Sequence, residues 1–200
     1  MKRRERRILE RLLGKREADE VRLIREDELT LLLSSRTPEA DRALDSHRTS
    51  IILPAIALCR ALEETGRDPA TVRSVLEAFY SAVFERTRRA YAVADRLPFF
   101  YPLLRILLRR AMRTTYAESG WRRRWIEDSG ARMAFNMETC YYRAALLEHG
   151  RGDLLPLFCA LDDLVYGSMS RHVSFRRETT LARGGSLCDF AFINARGGGR

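Results

Sequence analysis

Proline and glycine residues divide the first 120 positions into segments of helix length, and this division constrains the fold more than any other feature. Within the segments, apolar residues recur every three or four positions, which is the period of a helix with one buried face. Gly14 and Gly66 each follow such a segment, as glycine commonly does at a helix end. Asp68-Pro69 has the composition of a helix start, because the carboxylate caps the first turn and proline fits there. The sequence therefore predicts a helical N-terminal two-thirds.

A second start signal, Thr37-Pro38-Glu39, is expected to begin a helix that ends near Gly66. Pro54 should kink or divide that helix, because an internal proline removes a backbone donor. Asp153 is expected to cap a later helix. The predicted helical regions are residues 3–33, 37–65, 69–95, 100–117, 139–148 and 154–166.

The pattern changes from helical to alternating after residue 130. In residues 131–138 apolar and polar side chains mostly alternate, which indicates a strand with one buried face. Residues 173–181 and 187–194 are further strand candidates, and Arg183-Gly184-Gly185-Ser186 between them predicts a hairpin turn. The expected fold is therefore α+β, with the helical N-terminal two-thirds packed on a small antiparallel sheet.

A chain of 200 residues with 46% hydrophobic side chains is sufficient for one domain with a core. We expect an N-terminal amphipathic helical extension (1–36), a main domain (37–195) and a flexible glycine-rich tail (196–200). The apolar stripe of the extension could form a homodimer contact, or it could pack within one molecule.

The formal net charge is +9, and nearly all of the positive charge is arginine. Residues 96–125 contain eight arginines and one acid, Glu118, so a basic surface is expected there. Trp121-Arg-Arg-Arg-Trp125 could bind nucleic acid, but we interpret it as a helical turn with both tryptophans in the core and expect no nucleic-acid partner. The helix near residues 97–113 could lie on a membrane surface, but we favour a buried core helix and expect no membrane partner.

The cysteine pattern indicates whether the protein works in a reducing or an oxidising compartment. Cys59, Cys140, Cys159 and Cys188 form no CxxC pair, and the first residues contain no apolar run of signal-peptide length. We therefore expect a cytoplasmic protein with reduced thiols.

Cys159, Asp162 and Asp163 are the residues with the clearest chemical potential, since a helix places residues three and four apart on one face. Three interpretations stay open. The cysteines could be buried hydrophobic residues beside solvated aspartates, or the group could form a thiolate or carboxylate site activated by a nearby cation. The third is a zinc site of unusual spacing, with ligands from Cys140, Cys159, Cys188 and either His149 or Asp163.

Several C-terminal motifs occur together: Cys140-Tyr-Tyr-Arg-Ala144, Phe158-Cys-Ala-Leu-Asp-Asp163 and Gly184-Gly-Ser-Leu-Cys-Asp-Phe190. In this combination the chain resembles the L-2-amino-thiazoline-4-carboxylate hydrolase family, over roughly residues 40–195. The resemblance implies hydrolytic opening of a small ring. Water would add at the amidine-like ring carbon, and sulfur would leave to give N-carbamoyl-cysteine.

The resemblance also implies catalytic roles within these motifs. Cys159 or Cys188 would be the nucleophile. Asp162 or Asp163 would activate water or protonate the ring. We expect no cofactor, although zinc or another divalent metal is an option.

The substrate is expected to be bound by residues around the same motifs. Arg183 would pair with the substrate carboxylate. The alternative function is a binding module of the same fold that holds a small molecule or a metal without turnover. The predicted substrate-binding residues are Cys140, Tyr142, Arg183 and Asp189.

Overall fold

The computed structural model describes residues 1–195, and the predicted flexible tail, residues 196–200, lies outside the described residues. The chain divides into two compact units, one of residues Met1–Glu85 and one that begins at Arg86. The domain boundary expected between residues 36 and 37 remains a prediction.

The N-terminal unit is helical, and its core is built around its fourth helix. That helix, α4, buries eight of its twelve residues, all of them apolar or cysteine, and it packs against α2. The elements are α1 (Arg3–Leu13), α2 (Lys15–Ser35), α3 (Arg42–His47), a π-helical segment (Arg48–Ile52), α4 (Leu53–Glu64) and α5 (Pro69–Ala94), the last of which contains the boundary between the units.

The residues predicted to begin, end or divide these helices are largely confirmed. Gly14, at φ 81°, separates α1 from α2, and the Asp68 carboxylate accepts hydrogen bonds from the backbone N–H groups of Ala70 and Thr71 at the start of α5. Pro54 is the second residue of α4, which directly follows the π-helical segment, so the expected division of the helix occurs at this proline.

The start expected at Thr37-Pro38 is wrong. The helix begins at Arg42, because the Asp41 side chain accepts from the Ala43 N–H and caps that turn instead. The carboxylate of Asp45 explains the path of the preceding chain, since it binds the Arg36 guanidinium.

The C-terminal unit combines helices with an antiparallel sheet, which confirms the α+β class. The sheet has the strand order β1-β2-β4-β3, with antiparallel pairing throughout. Its elements are α6 (Phe100–Thr114), β1 (Arg123–Asp128), β2 (Arg132–Met137), α7 (Tyr141–Glu148), α8 (Leu155–Tyr166), β3 (Val173–Arg176) and β4 (Cys188–Asn194).

The helical turn expected at Trp121–Trp125 is wrong. Residues from Arg123 form β1, an edge strand that pairs with β2. Trp121 is buried before the strand begins, whereas the Trp125 side chain is 39% exposed on it. The run of arginines concealed a strand because an edge strand keeps much of its surface in water.

Two expectations near the C-terminus also need correction. The strand expected over residues 173–181 ends at Arg176, so β3 and β4 are joined by an eleven-residue connection, 177–187, with a short 3-10 turn at Leu181–Arg183 rather than by a tight hairpin. Asp153 does not cap α8; its carboxylate binds the Arg151 guanidinium at 2.9 Å.

An aromatic row crosses the sheet and carries α8. The Phe135 and Phe190 rings, opposite each other on β2 and β4, stack with centroids 5.1 Å apart. Tyr166, the last residue of α8, places its ring 5.1 Å from Phe192 and 5.4 Å from Phe175. These contacts fix the end of α8 over one face of the sheet.

A buried carboxylate fixes the start of β3. Asp95, 2% exposed, accepts hydrogen bonds from four consecutive backbone N–H groups, those of residues 170–173, at 2.6–3.1 Å. Each oxygen accepts two, so the charge is satisfied without a cation at this contact.

No helix within residues 1–195 is both long and apolar enough to cross a bilayer.

Candidate active site

Arg177, directly after β3, is the residue around which the site is built. Its side chain is 2% exposed, and its two terminal nitrogens lie 3.1 Å from Asp162 Oδ2 and 2.7 Å from Asp163 Oδ1. It also donates to the carbonyl oxygen of Cys159 at 2.7 Å, and its guanidinium lies 5.1 Å from the centroid of the Phe190 ring. One arginine therefore joins α8 to the sheet.

Sequence reasoning assigned no role to Arg177. The available signal was the alternation of a strand with one buried face. Val173, Phe175 and Arg177 follow one another at every second position, and Val173 is fully buried. A guanidinium that continues a buried alternation needs carboxylates from elsewhere in the chain. The partners come from α8, and no local pattern identifies them.

The carboxyl group of Asp162 has an unusual environment. Burial raises its pKa to about 6, although the Arg177 guanidinium acts in the opposite direction. The Asp162 side chain nevertheless retains 38% of its accessible surface. A carboxyl group with this combination of burial and remaining accessibility can be reached by a small molecule.

Asp163 differs from its neighbour in what it faces. It lines an open groove of about 340 Å³ together with Gly167, Phe175 and Arg177. Its carboxylate also lies 4.0 Å from Arg183, whose side chain is 72% exposed. Asp163 therefore lies between a buried cation, Arg177, and an exposed cation, Arg183. Among the ion pairs of residues 1–195, Asp162 contacts only the buried cation.

The three cysteines of the predicted site are neutral thiols, and each of them interacts electrostatically with Asp162. Burial raises the pKa of Cys140, of Cys188 and of Cys159, the last to about 12, and the charge of Asp162 adds to each shift. All three are free in the structure. At neutral pH they are therefore weak nucleophiles, because the thiolate is the reactive form.

Tyrosine hydroxyl groups complete the surroundings of Asp162. Burial raises the pKa of Tyr116, Tyr142 and Tyr166, and the Asp162 carboxylate adds to each shift. The Tyr142 ring packs edge-on against Phe158 of α8, with centroids 5.0 Å apart. The side of the site next to α7 is thus aromatic, with phenolic groups that stay protonated.

The connection after Arg177 is held by β4. The Asp189 carboxylate accepts from the N–H groups of Glu178 and Thr179 at 2.6–3.1 Å, and the Cys188 thiol accepts from the Leu181 N–H at 3.2 Å. Both side chains therefore position backbone. This places the predicted substrate-binding residue Asp189 beside the loop, with its oxygens already engaged.

The paired glycines of this connection are required by its close packing. Gly184 has φ 83°, a left-handed conformation that other residues rarely adopt. A Cβ on Gly185 would lie 2.9 Å from the carbonyl oxygen of Thr180, so only glycine fits without a shift of backbone. The Gly184-Gly185 pair, predicted to form a hairpin turn, thus shapes the segment that carries Arg183.

The predicted site residues fall into two groups. One group surrounds Asp162 or Arg177, and the other holds or extends the loop after β3. Residues 1–195 contain no cluster of three His, Cys, Asp or Glu side chains arranged to hold a metal ion. The first group is Cys140, Tyr142, Cys159, Asp162 and Asp163; the second is Arg183, Cys188 and Asp189.

Comparison with known proteins assigns the chain to a family. The family model for L-2-amino-thiazoline-4-carboxylic acid hydrolase matches residues 46–192, nearly three-quarters of the chain. The chain belongs to this family, which confirms the resemblance found in its motifs. No curated protein and no solved structure gave a significant match in the same comparisons.

Proposed function

We propose that this protein is a hydrolase that opens a small nitrogen-containing ring, with a thiazoline carboxylate or a related strained heterocycle as its substrate. The observation that carries the proposal is the accessible Asp162 carboxyl group with a pKa of about 6, inside the segment that matches the hydrolase family. Such a group is mostly ionised at neutral pH, yet it is basic enough to take a proton from a reacting water.

Asp162 is proposed to act as a proton shuttle. A water oxygen bonds to the ring carbon between nitrogen and sulfur, and Asp162 takes one proton from that water and passes it to the ring nitrogen. The carbon–sulfur bond then breaks, and the hydroxyl proton of the intermediate moves to the departing sulfur. One water is consumed, and the carboxylate returns to its starting state.

The surroundings of Asp162 support water rather than a thiolate as the nucleophile. Burial keeps the Cys159 thiol protonated, with a pKa of about 12, and burial also raises the pKa of Cys188. Thiolate attack would first require loss of that proton in a site that already holds a carboxylate. The catalytic roles expected for Cys159 and Cys188 stay predictions, which alanine variants test.

Two arginines have separate proposed roles. Arg177 is a positioning residue, because its side chain is buried and bound to both carboxylates. Arg183 is proposed to bind the substrate carboxylate, since its guanidinium is largely exposed and lies only 4.0 Å from Asp163. The neutral thiols and phenols would then enclose the ring.

The proposal is tested by turnover of 2-amino-thiazoline-4-carboxylate by the full chain, followed through the new thiol of the product. The decisive pair of variants is Asp162→Asn and Asp163→Asn, which remove the same charge at adjacent positions of similar exposure. Loss of general acid–base catalysis at Asp162 should lower kcat/KM by about 10²–10⁴-fold. The Asp163 variant should lose less than about tenfold, because its carboxylate contributes to charge balance only.

Metal content and the effect of chelation would be determined on the same sample. Equal activities of the two variants would rule out the assignment to Asp162. Folded protein that binds the compound without turnover would instead support the binding module, and tight stoichiometric metal would identify that module as metal-binding.

A further inference from the structure

Helix α6 has a second apolar face that the core of its unit does not use. Phe100, Tyr101, Leu104 and Leu108 are buried on one side. On another side the apolar residues are exposed, with accessible fractions from 39% to 64%. They are Phe99, just before the helix, and Leu103, Ile106 and Leu107 within it.

The spacing of the exposed residues makes them one stripe. Phe99, Leu103 and Ile106 follow the three- and four-residue steps that place side chains above one another on a helix, and Leu107 extends the stripe by a further step. The stripe is convex, since single side chains project from one helix, and about two turns long. We refer to these four residues as the α6 stripe.

The charged side chains of helix α6 are all positive. The helix Phe100–Thr114 contains four arginines and no acid. Arg105 and Arg109 are bound to Asp128 of β1 on one flank. Arg110 and Arg113, at the C-terminal end of the stripe, are exposed, and their guanidinium groups have no ion-pair or hydrogen-bond partner among residues 1–195.

We propose that the α6 stripe binds the surface of an anionic lipid bilayer, with its apolar side chains below the head groups and Arg110 and Arg113 paired with lipid phosphates. A convex apolar stripe beside unpaired arginines has the composition of a helix that lies in a membrane interface. Arginine suits this position, because its stem can lie along apolar surface while the guanidinium reaches the phosphate. The proposal differs from the sequence-based expectation of no membrane partner, and it concerns surface attachment only.

The test is co-sedimentation of the full chain with vesicles of phosphatidylcholine mixed with phosphatidylglycerol, and with vesicles of phosphatidylcholine alone. Binding is expected to the mixed vesicles and to fall as salt is added. Ile106→Glu should weaken it by about tenfold or more, because a charge would replace an exposed isoleucine that the bilayer would otherwise bury. Arg110→Glu should weaken it by at least about fivefold, the effect of one juxtamembrane cation.

The matched control is Leu31→Glu, which places the same charge at a similarly exposed leucine of α2. It should bind as the unaltered protein does, and circular dichroism should show all three glutamate variants folded. Equal binding by Ile106→Glu and Leu31→Glu would overturn the proposal. A second result would also overturn the proposal: the unaltered protein binds no vesicles, and light scattering shows a dimer that Ile106→Glu dissociates. The stripe would then contact a second copy of the chain.

Discussion

Helices α4 and α8 begin with the same Leu-Pro dipeptide, have the same length of twelve residues and each contain one cysteine, yet their roles differ. In α4, Cys59 is 1% exposed within an apolar core, and its thiol contacts Glu63. In α8, Cys159 is partly accessible beside two aspartates that bind a buried arginine. The comparison shows that the cysteine and acid spacing does not by itself define a site, because the same spacing occurs in the apolar core around α4 and beside a buried arginine in α8.

The largest expected effect concerns the apolar side of this comparison. Leu58→Ala in α4 should lower the free energy of unfolding by about 2–5 kcal/mol, because Leu58 is 0% exposed and its loss leaves a cavity. Turnover per folded molecule should stay within about twofold. Denaturant unfolding and a steady-state assay measure the two quantities, and the volume-conserving Leu58→Met is the control, with a cost below about 1.5 kcal/mol. A selective loss of activity would show that α4 does more than stabilise its unit.

The next effect concerns the buried cation that α8 binds. Arg177→Met should lower the free energy of unfolding by about 2–3 kcal/mol, less than a fully buried pair would lose, since both carboxylates remain partly accessible. Removing the guanidinium should also raise the pKa of Asp162 further, because that cation now favours the ionised form. The acidic limb of the pH–activity profile should therefore move to higher pH. A limb at the original pH would contradict the role given to Arg177.

A smaller effect should appear in the pH dependence of the unaltered enzyme. If Asp162 acts in its ionised form, kcat/KM should be constant above its pKa of about 6 and should fall about tenfold per pH unit below it. Asp163→Asn should retain this limb, whereas Asp162→Asn should lose it along with most of the activity. An acidic limb near pH 4 in the free enzyme would mean that an ordinary carboxylate controls the reaction.

The smallest effects are expected at the two cysteines. Cys59→Ala should cost about 1 kcal/mol of stability without changing kcat/KM, because a small buried side chain is shortened. Cys159→Ala should change kcat/KM by less than about threefold if water is the nucleophile. Thiol alkylation of both variants gives an independent measure. Loss of activity at Cys159 alone, with the fold intact, would restore the thiolate mechanism.

Local sequence signals predicted most of the helices but only part of the sheet. Asp68-Pro69 and Gly14 act through their own backbone geometry, so their effects could be read without knowledge of neighbours. Strand β1 could not be read in this way, because its exposed arginines and Trp125 obscure the alternation. The early end of β3 depends on Asp189, which binds the backbone that would otherwise continue the strand.

The candidate site shows the same division. The spacing of Cys159, Asp162 and Asp163 on α8 could be read from the sequence, and the structure places them on the side of the helix that meets the sheet connection. Arg177 could not be identified, since its burial depends on α8 and on the Phe190 ring, both distant in sequence. The pKa of Asp162 is likewise set by folding, because burial in the folded chain raises it.

The π-helical segment Arg48–Ile52 lies within an otherwise continuous run from Arg42 to Glu64. A π-turn is equivalent to a single-residue insertion in an α-helix, and one residue corresponds to a rotation of about 100°. The apolar pattern before this segment is therefore out of phase with the pattern after it. A homologue lacking one residue here should have an uninterrupted α-helix, and its alignment with this chain should show a one-position gap followed by an unbroken match of the α4 core.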